Sequence, residues 1–234
     1  MNSLLQNPYQ ITLTSELVQR RREGVTSHLI LKDSILMDYT RLGLPIERAS
    51  LSGLHLIRTY TSGGKLVHVV QGAPSSSEIT TEVDPRDRMN NQRDITLRLL
   101  TNHALSYYFN RHAFDFRRCK IPNVPSTQVT FLEEDQPKGD DPSPSPTLLT
   151  IHGHFTREES LEMIRVLQDR IDRVSRAGLQ IKTSREDNLK TAVFGLFSGP
   201  WIGPHLASTA EIGPWSLKVR SLAPDSLTLE YQLL

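Results

Sequence analysis

Hydrophobic and polar positions change their rhythm along the chain. Two apolar-rich runs, Leu54–Thr61 and Leu66–Val70, flank the polar tetrapeptide Ser62, Gly63, Gly64, Lys65. Paired glycines between such runs predict a tight β-hairpin, because both central turn residues then take positive φ without strain. Ser27–Lys32 and Ser34–Met37 predict a second strand pair turning at Lys32 and Asp33. Short strands of this kind bury an apolar face by curling, so a small antiparallel barrel is the expected architecture of the N-terminal part.

Beyond the polar stretch Gly72–Ser77 the period lengthens. Between Pro85 and Asn110, the residues Ile95, Leu99, Leu100, Leu105 and Tyr108 recur at helical spacing. Asp84 stands where an N-cap belongs and Pro85 at the first helical position. Gln128–Leu132 and Leu148–His152 predict two strands, joined through the proline-rich acidic segment 134–146, a disordered-prone hairpin tip. Thr156 and Glu159 form a capping-box pair for a helix through about Arg176, ended by Gly178. Trp215–Arg220 and Ser226–Tyr231 return to strand patterning. The whole predicts an α+β protein, with a β-rich, barrel-like domain over 1–83 and an α+β domain over 84–234.

Composition narrows the class. With 234 residues, 37% hydrophobic and 23% charged, the chain has the make-up of a soluble globular protein. Its formal net charge of +1 provides no global basic field for nucleic acid. The local cluster Arg20, Arg21, Arg22 reads as a solvated helix end, with phosphate contact as the alternative. A single cysteine, Cys119, excludes an intrachain disulfide and suits a reducing compartment. No apolar core of signal-peptide length lies in residues 1–25, and no stretch reaches a membrane span, so a cytosolic location without a membrane partner is expected.

General-purpose catalytic motifs are missing: there is no phosphate loop, no Gly-x-Ser-x-Gly elbow, no dinucleotide fingerprint and no Cys-x-x-Cys pair. Cys119 reads as a packed or incidental thiol. His152 and His154, two apart on an expected strand, share one face but make a poor metal site alone.

Three ordered segments carry more information. Ile95-Thr-Leu-Arg-Leu-Leu-Thr-Asn-His-Ala-Leu105 parallels the pattern His-Thr-Ala-x-His-Leu-Leu-x-x-Ala-Leu, matching at Thr96, Leu100, Ala104 and Leu105. Trp201-Ile-Gly-Pro-His-Leu-Ala-Ser-Thr-Ala-Glu-Ile-Gly213 parallels Cys-Gly-Gly-Thr-His-Val-x-Asn-Thr-Gly-Glu-Ile-Gly, matching at Gly203, His205, Thr209, Glu211, Ile212 and Gly213. Leu42–Ser50 parallels a glycine-rich Gly-Gly-Gln-Pro-x-Asp-x-Gly-Thr, keeping Gly43 and Pro45, with Glu47 for the acid. In this order the segments resemble the AlaX alanyl-tRNA editing proteins and the matching editing domains of alanyl- and threonyl-tRNA synthetases. The resemblance implies that fold over about Asp33 to Tyr231.

It also implies a zinc site of two histidines, a cysteine and a further histidine. Carried over by position, that set becomes Ile95, Leu99, Trp201 and His205. Three of the four cannot ligate a metal, so no zinc and no other cofactor is expected. The apolar replacements either pack the former site shut or line a pocket for a small hydrophobic molecule, with Trp201 as its wall and His205 as its titratable group. Asn102 lies almost two turns from Ile95 on the same helix face, and Arg98 lies at its edge. Glu47 and Leu44, from the glycine-rich segment, complete the expected pocket, with Glu47 pairing with His205 for acid/base work.

Three readings follow. The first is a metal-free enzyme, a cyclase, isomerase or hydrolase of a specialised biosynthetic pathway, acting on a small hydrophobic molecule. The second is residual editing of tRNA, disfavoured by the charge balance and the altered glycine-rich segment. The third is a non-catalytic binding module. Thr209 and Glu211 are expected to close a turn through backbone amides rather than to act chemically.

Overall fold

A computed structural model describes residues 7–39, 44–111, 130–132, 147–186, 189–195, 197–200 and 204–234. The chain forms two compact units, Met1–Gln92 and Arg93–Leu234.

The first unit is a closed six-stranded barrel. Its strands are β1 (Thr12–Glu23), β2 (Thr26–Leu31), β3 (Ala49–Leu51), β4 (Leu54–Ser62), β5 (Lys65–Gln71) and β6 (Glu78–Val83). They run in the order β1-β2-β5-β4-β3-β6, and β1 closes the ring by pairing with both β2 and β6. All pairings are antiparallel, and burial alternates along β2 and β6 as a one-sided sheet requires. Leu29, Leu51, Val70 and Ile79 lie at the centre of the barrel core. The β4–β5 hairpin turns through Gly63 (φ 55°) and Gly64 (φ 75°), the geometry its glycine pair predicts.

Two local expectations need correction. Arg20, Arg21 and Arg22 belong to strand β1, not to a helix end, with Arg21 opposite His28 on β2. Three consecutive arginines carry no period of their own, and cross-strand pairing decides their conformation. Ser34–Met37 is not a strand. Side chains tie this segment down instead: the Ser34 hydroxyl lies 2.9 Å from His68 Nε2, and Thr59 donates to the Met37 carbonyl at 2.6 Å.

Helix α1 (Pro85–Arg111) starts as its sequence predicts: Asp84 Oδ1 accepts from the amides of Arg86 (2.8 Å) and Asp87 (3.3 Å). Around it in the first unit, Glu47 and Arg88 form an ion pair with side chains 0% and 2% exposed. Arg88 Nε donates to Glu47 Oε1 at 2.7 Å and Nη2 to Oε2 at 2.9 Å. The same guanidinium also donates to the carbonyls of Gln10 and Ile35.

The second unit contains the rest of α1, helix α2 (Arg157–Ala177) and two sheets. Strands β7 (Thr130–Leu132), β8 (Thr147–His152), β12 (Trp215–Ala223) and β13 (Ser226–Leu233) form a sheet in the order β12-β13-β8-β7. Strands β9 (Lys182–Glu186), β10 (Leu189–Phe194) and β11 (Phe197–Pro200) form a second, antiparallel sheet. The Thr156–Glu159 capping box is fully formed, and Gly178 ends α2 in the left-handed conformation (φ 60°). Met163, Leu167, Ile171 and Val174 recur at helical spacing on the buried face of α2. His152 ends β8 and His154 lies beyond the strand, so the two do not share a strand face. The chain is thus α+β with a barrel at its N-terminal end. Segment 134–146, Cys119 and Gly43 lie outside the described residues. No helix among the described residues is long and apolar enough to cross a membrane.

Candidate functional site

In the second unit, α1 and the segment after β11 build the candidate site. The Leu206 amide donates to the Thr96 hydroxyl at 3.0 Å, fixing Pro204–Leu206 beside the helix. Thr96 is fully buried, so this bond is made away from water, where leaving a backbone amide unpaired is costly. His205 is thereby held with 8% of its surface exposed. Its Nδ1–H donates to the Leu206 carbonyl at 2.9 Å. Its other nitrogen, Nε2, is buried without a hydrogen-bond partner among the described residues.

These two facts define the protonation state. Burial pushes the His205 imidazole below its ordinary value, and the Leu206 hydrogen bond opposes this only in part. The neutral ring, protonated at Nδ1, directs a free lone pair from Nε2. Among the described residues this buried acceptor meets no donor, an arrangement that costs free energy unless something supplies one. A ligand hydroxyl, amide or ammonium would do so.

On α1, Ile95 and Leu99 are buried, 1% and 3% exposed. They offer no donor atoms, and no group of three or more His, Cys, Asp or Glu among the described residues is arranged to hold a metal ion. The residues present do not fit a zinc centre of the kind the resemblance implies. Arg98 is buried and donates from Nε to Asp94 Oδ2 at 2.6 Å, one turn back. Burial works against its charge, but Tyr231 and Asp94 outweigh that and hold the guanidinium above its ordinary pKa. Asn102 is half-buried farther along the helix. Trp201 lies outside the described residues.

Glu47 and Leu44 belong to the first unit and are both buried there. Burial raises the Glu47 carboxyl above the ordinary range, while the hydrogen bonds and charge of Arg88 draw it down. Nearby Tyr39 is fully buried, and burial together with the Glu47 charge raises its phenol well above the ordinary value. Both Glu47 oxygens are occupied by Arg88, which is what a structural ion pair looks like.

The Thr209–Gly213 segment does what its residue types suggest. The Thr209 hydroxyl donates to the Val174 carbonyl at 2.7 Å and accepts from the Leu179 amide at 2.9 Å. The Glu211 carboxylate accepts from the Ser208 amide at 3.0 Å, closing a capping box over a short 3-10 turn. Gly213 has φ 69°, and a Cβ there would lie 2.6 Å from Arg93 Nη2. Arg93 in turn donates to the carbonyls of Ile212 and Pro214, which locks the end of the turn to α1. Sequence reasoning missed Arg93 and Asp94. Their signal is weak, since charged residues in a helix usually face solvent. No protein-family model matches the chain, and no curated protein matches it significantly.

Proposed function

We propose that the second unit is an AlaX-like domain working without zinc, in which His205 serves as acid/base toward a small hydrophobic molecule. What supports the reading is one observation above all: His205 Nε2 is buried, unprotonated and without a partner among the described residues. A general base must present an available lone pair held in a fixed direction. The Leu206 carbonyl fixes the tautomer, and the Thr96–Leu206 bond fixes the segment. Ile95 and Leu99 supply apolar surface in place of metal ligands; Trp201, the aromatic wall the resemblance implies, lies outside the described residues.

Cyclisation, isomerisation and hydrolysis of the kind envisaged need proton transfer and no metal. Proton transfer by Glu47 would require it to leave Arg88, so His205 carries the role alone in this reading. Thermal-shift screening of small hydrophobic molecules against wild type, His205→Gln and Trp201→Ala tests the proposal. Hits should stabilise wild type and lose their effect in Trp201→Ala. Once a hit is turned over, His205→Gln should lower the rate on the order of a hundredfold. Hits that stabilise all three proteins equally would place the site elsewhere.

A further inference from the structure

The outward face of the barrel carries a chain of three side chains that has no part in the reading above. Glu23 ends β1, His28 lies on β2 and Tyr60 on β4, all in the first unit. Glu23 Oε2 is 3.1 Å from His28 Nε2, and His28 Nδ1 is 3.0 Å from the Tyr60 hydroxyl. Strand alternation turns Leu29 and Val70 into the core and so turns His28 and Val69 outward. Strand β5 lies between β2 and β4, so the His28–Tyr60 bond passes over the outward valines of β5, Val67 and Val69. Those valines are 5% and 4% exposed and give the bond an apolar floor.

The donors follow from the chemistry. A carboxylate only accepts, so the proton between Glu23 and His28 sits on Nε2. In the neutral form of the ring the lone pair is then on Nδ1, and Tyr60 donates the second bond. This is the order of roles in an acid–imidazole–hydroxyl triad, with a phenol in place of serine. Two cations flank it: the Arg58 guanidinium lies 5.4 Å from the Tyr60 ring centroid, and Arg21 pairs with His28 in the strand register. His28 and Glu23 side chains keep 16% and 60% of their surface, so small molecules can reach the bond.

We propose that Tyr60 is the nucleophile of an acyl-transfer site, with His28 as its base and Glu23 as the positioning residue, for acyl phosphates. Tyr60 Oη attacks the acyl carbon and forms an aryl ester as its proton passes to His28 Nδ1. The bond from the acyl carbon to the phosphate oxygen breaks, and phosphate leaves with the bonding electron pair. The imidazolium returns its proton to phosphate or solvent. Arg58 pairs with the phosphate charge that the acyl phosphate already carries when it binds, and Glu23 stabilises the imidazolium.

The full chain treated with acetyl phosphate, followed by peptide mapping, tests this directly. Tyr60 should acetylate at least about tenfold faster than Tyr9, and His28→Gln should slow it on the order of a hundredfold. Arg58→Gln should slow the reaction with acetyl phosphate but not with uncharged 4-nitrophenyl acetate. Histidine-ring 15N NMR should show the Nε2–H tautomer of His28 in wild type and a tautomer mixture in Glu23→Ala. Circular dichroism of each variant checks that the barrel is retained. Tyr60 labelling no faster than Tyr9, or an unchanged rate in His28→Gln, would overturn the nucleophile. Equal Arg58→Gln effects on both reagents would overturn the acyl-phosphate assignment.

Discussion

Replacing Glu47 by Gln is the sharpest perturbation of the first unit. The Glu47–Arg88 pair is almost completely buried, at 0% and 2% side-chain exposure, with two charge-assisted bonds of 2.7 and 2.9 Å. Removing the charge of one partner leaves the other buried and uncompensated, which costs about 3–5 kcal/mol. Gln keeps one acceptor, and Arg88 keeps the carbonyls of Gln10 and Ile35, so the lower end of that range is expected. Against a typical domain stability of about 5–15 kcal/mol, that is a large fraction. Urea unfolding followed by far-UV circular dichroism reads it. Glu47→Leu combined with Arg88→Met should recover most of the loss, because the uncompensated charge is then gone. A cost below about 1 kcal/mol for Glu47→Gln, the figure for a solvent-exposed pair, would refute the reasoning. Loss of turnover in Glu47→Gln without loss of stability would return Glu47 to the catalytic role that its place in the glycine-rich segment suggests.

Acid should destabilise the barrel through His68. Burial pushes its imidazole down to about 4 from 6.5, with the Leu29 hydrogen bond opposing. Because the folded value lies below the unfolded one, stability is full above pH about 6.5 and falls as pH drops toward 4, by about 3 kcal/mol for this group. His103, lowered to about 4 by burial and by Arg170, acts in the same direction in the second unit. His68→Gln should flatten the pH dependence of the barrel, measured as urea midpoints between pH 4 and 7, and an unchanged slope would count against it. Thr209→Val should cost about 2 kcal/mol, since it strips the Leu179 amide and Val174 carbonyl of a buried partner. Fluorescence-monitored unfolding reports on this through Trp215, whose indole donates to Asp172 at 3.2 Å. Elemental analysis of the purified protein should find no stoichiometric zinc; about one zinc per chain, lost in His205→Gln, would contradict the ligand substitutions.

The elements legible in the sequence are those whose local chemistry and tertiary role agree. The Gly63–Gly64 turn, the Asp84 and Thr156 caps and the Gly178 stop were each required by the backbone at that point. Strand β1 was not legible, because its outer half is exposed along Val18–Glu23 and shows no alternation. Helix α1 shows the reverse difficulty. It is buried on most sides between Asn91 and Thr101, with Gln92, Asp94 and Arg98 among the buried residues. Gln92 and Asp94 gave no sign of that burial, and Arg98, expected at the edge of the pocket face, is paired with Asp94 inside the protein. At the candidate site, His205 and Thr96 stood out through a family pattern, whereas the tautomer of His205 and the burial of its Nε2 depend on Leu206 and on packing, which only folding creates. The buried ion pair of Glu47 was not legible in the sequence, because its partner Arg88 lies 41 residues away.

The most direct measurement of the His205 proposal is histidine side-chain 15N NMR of the full chain, recorded while small hydrophobic molecules are titrated in. At pH 7, His205 should be the neutral Nδ1–H tautomer, and a binder should shift the Nε2 resonance in a saturable way that His205→Gln abolishes. A metal-bound Nε2 signal in the protein as purified, or binders that saturate the protein while leaving His205 Nε2 unmoved, would contradict it.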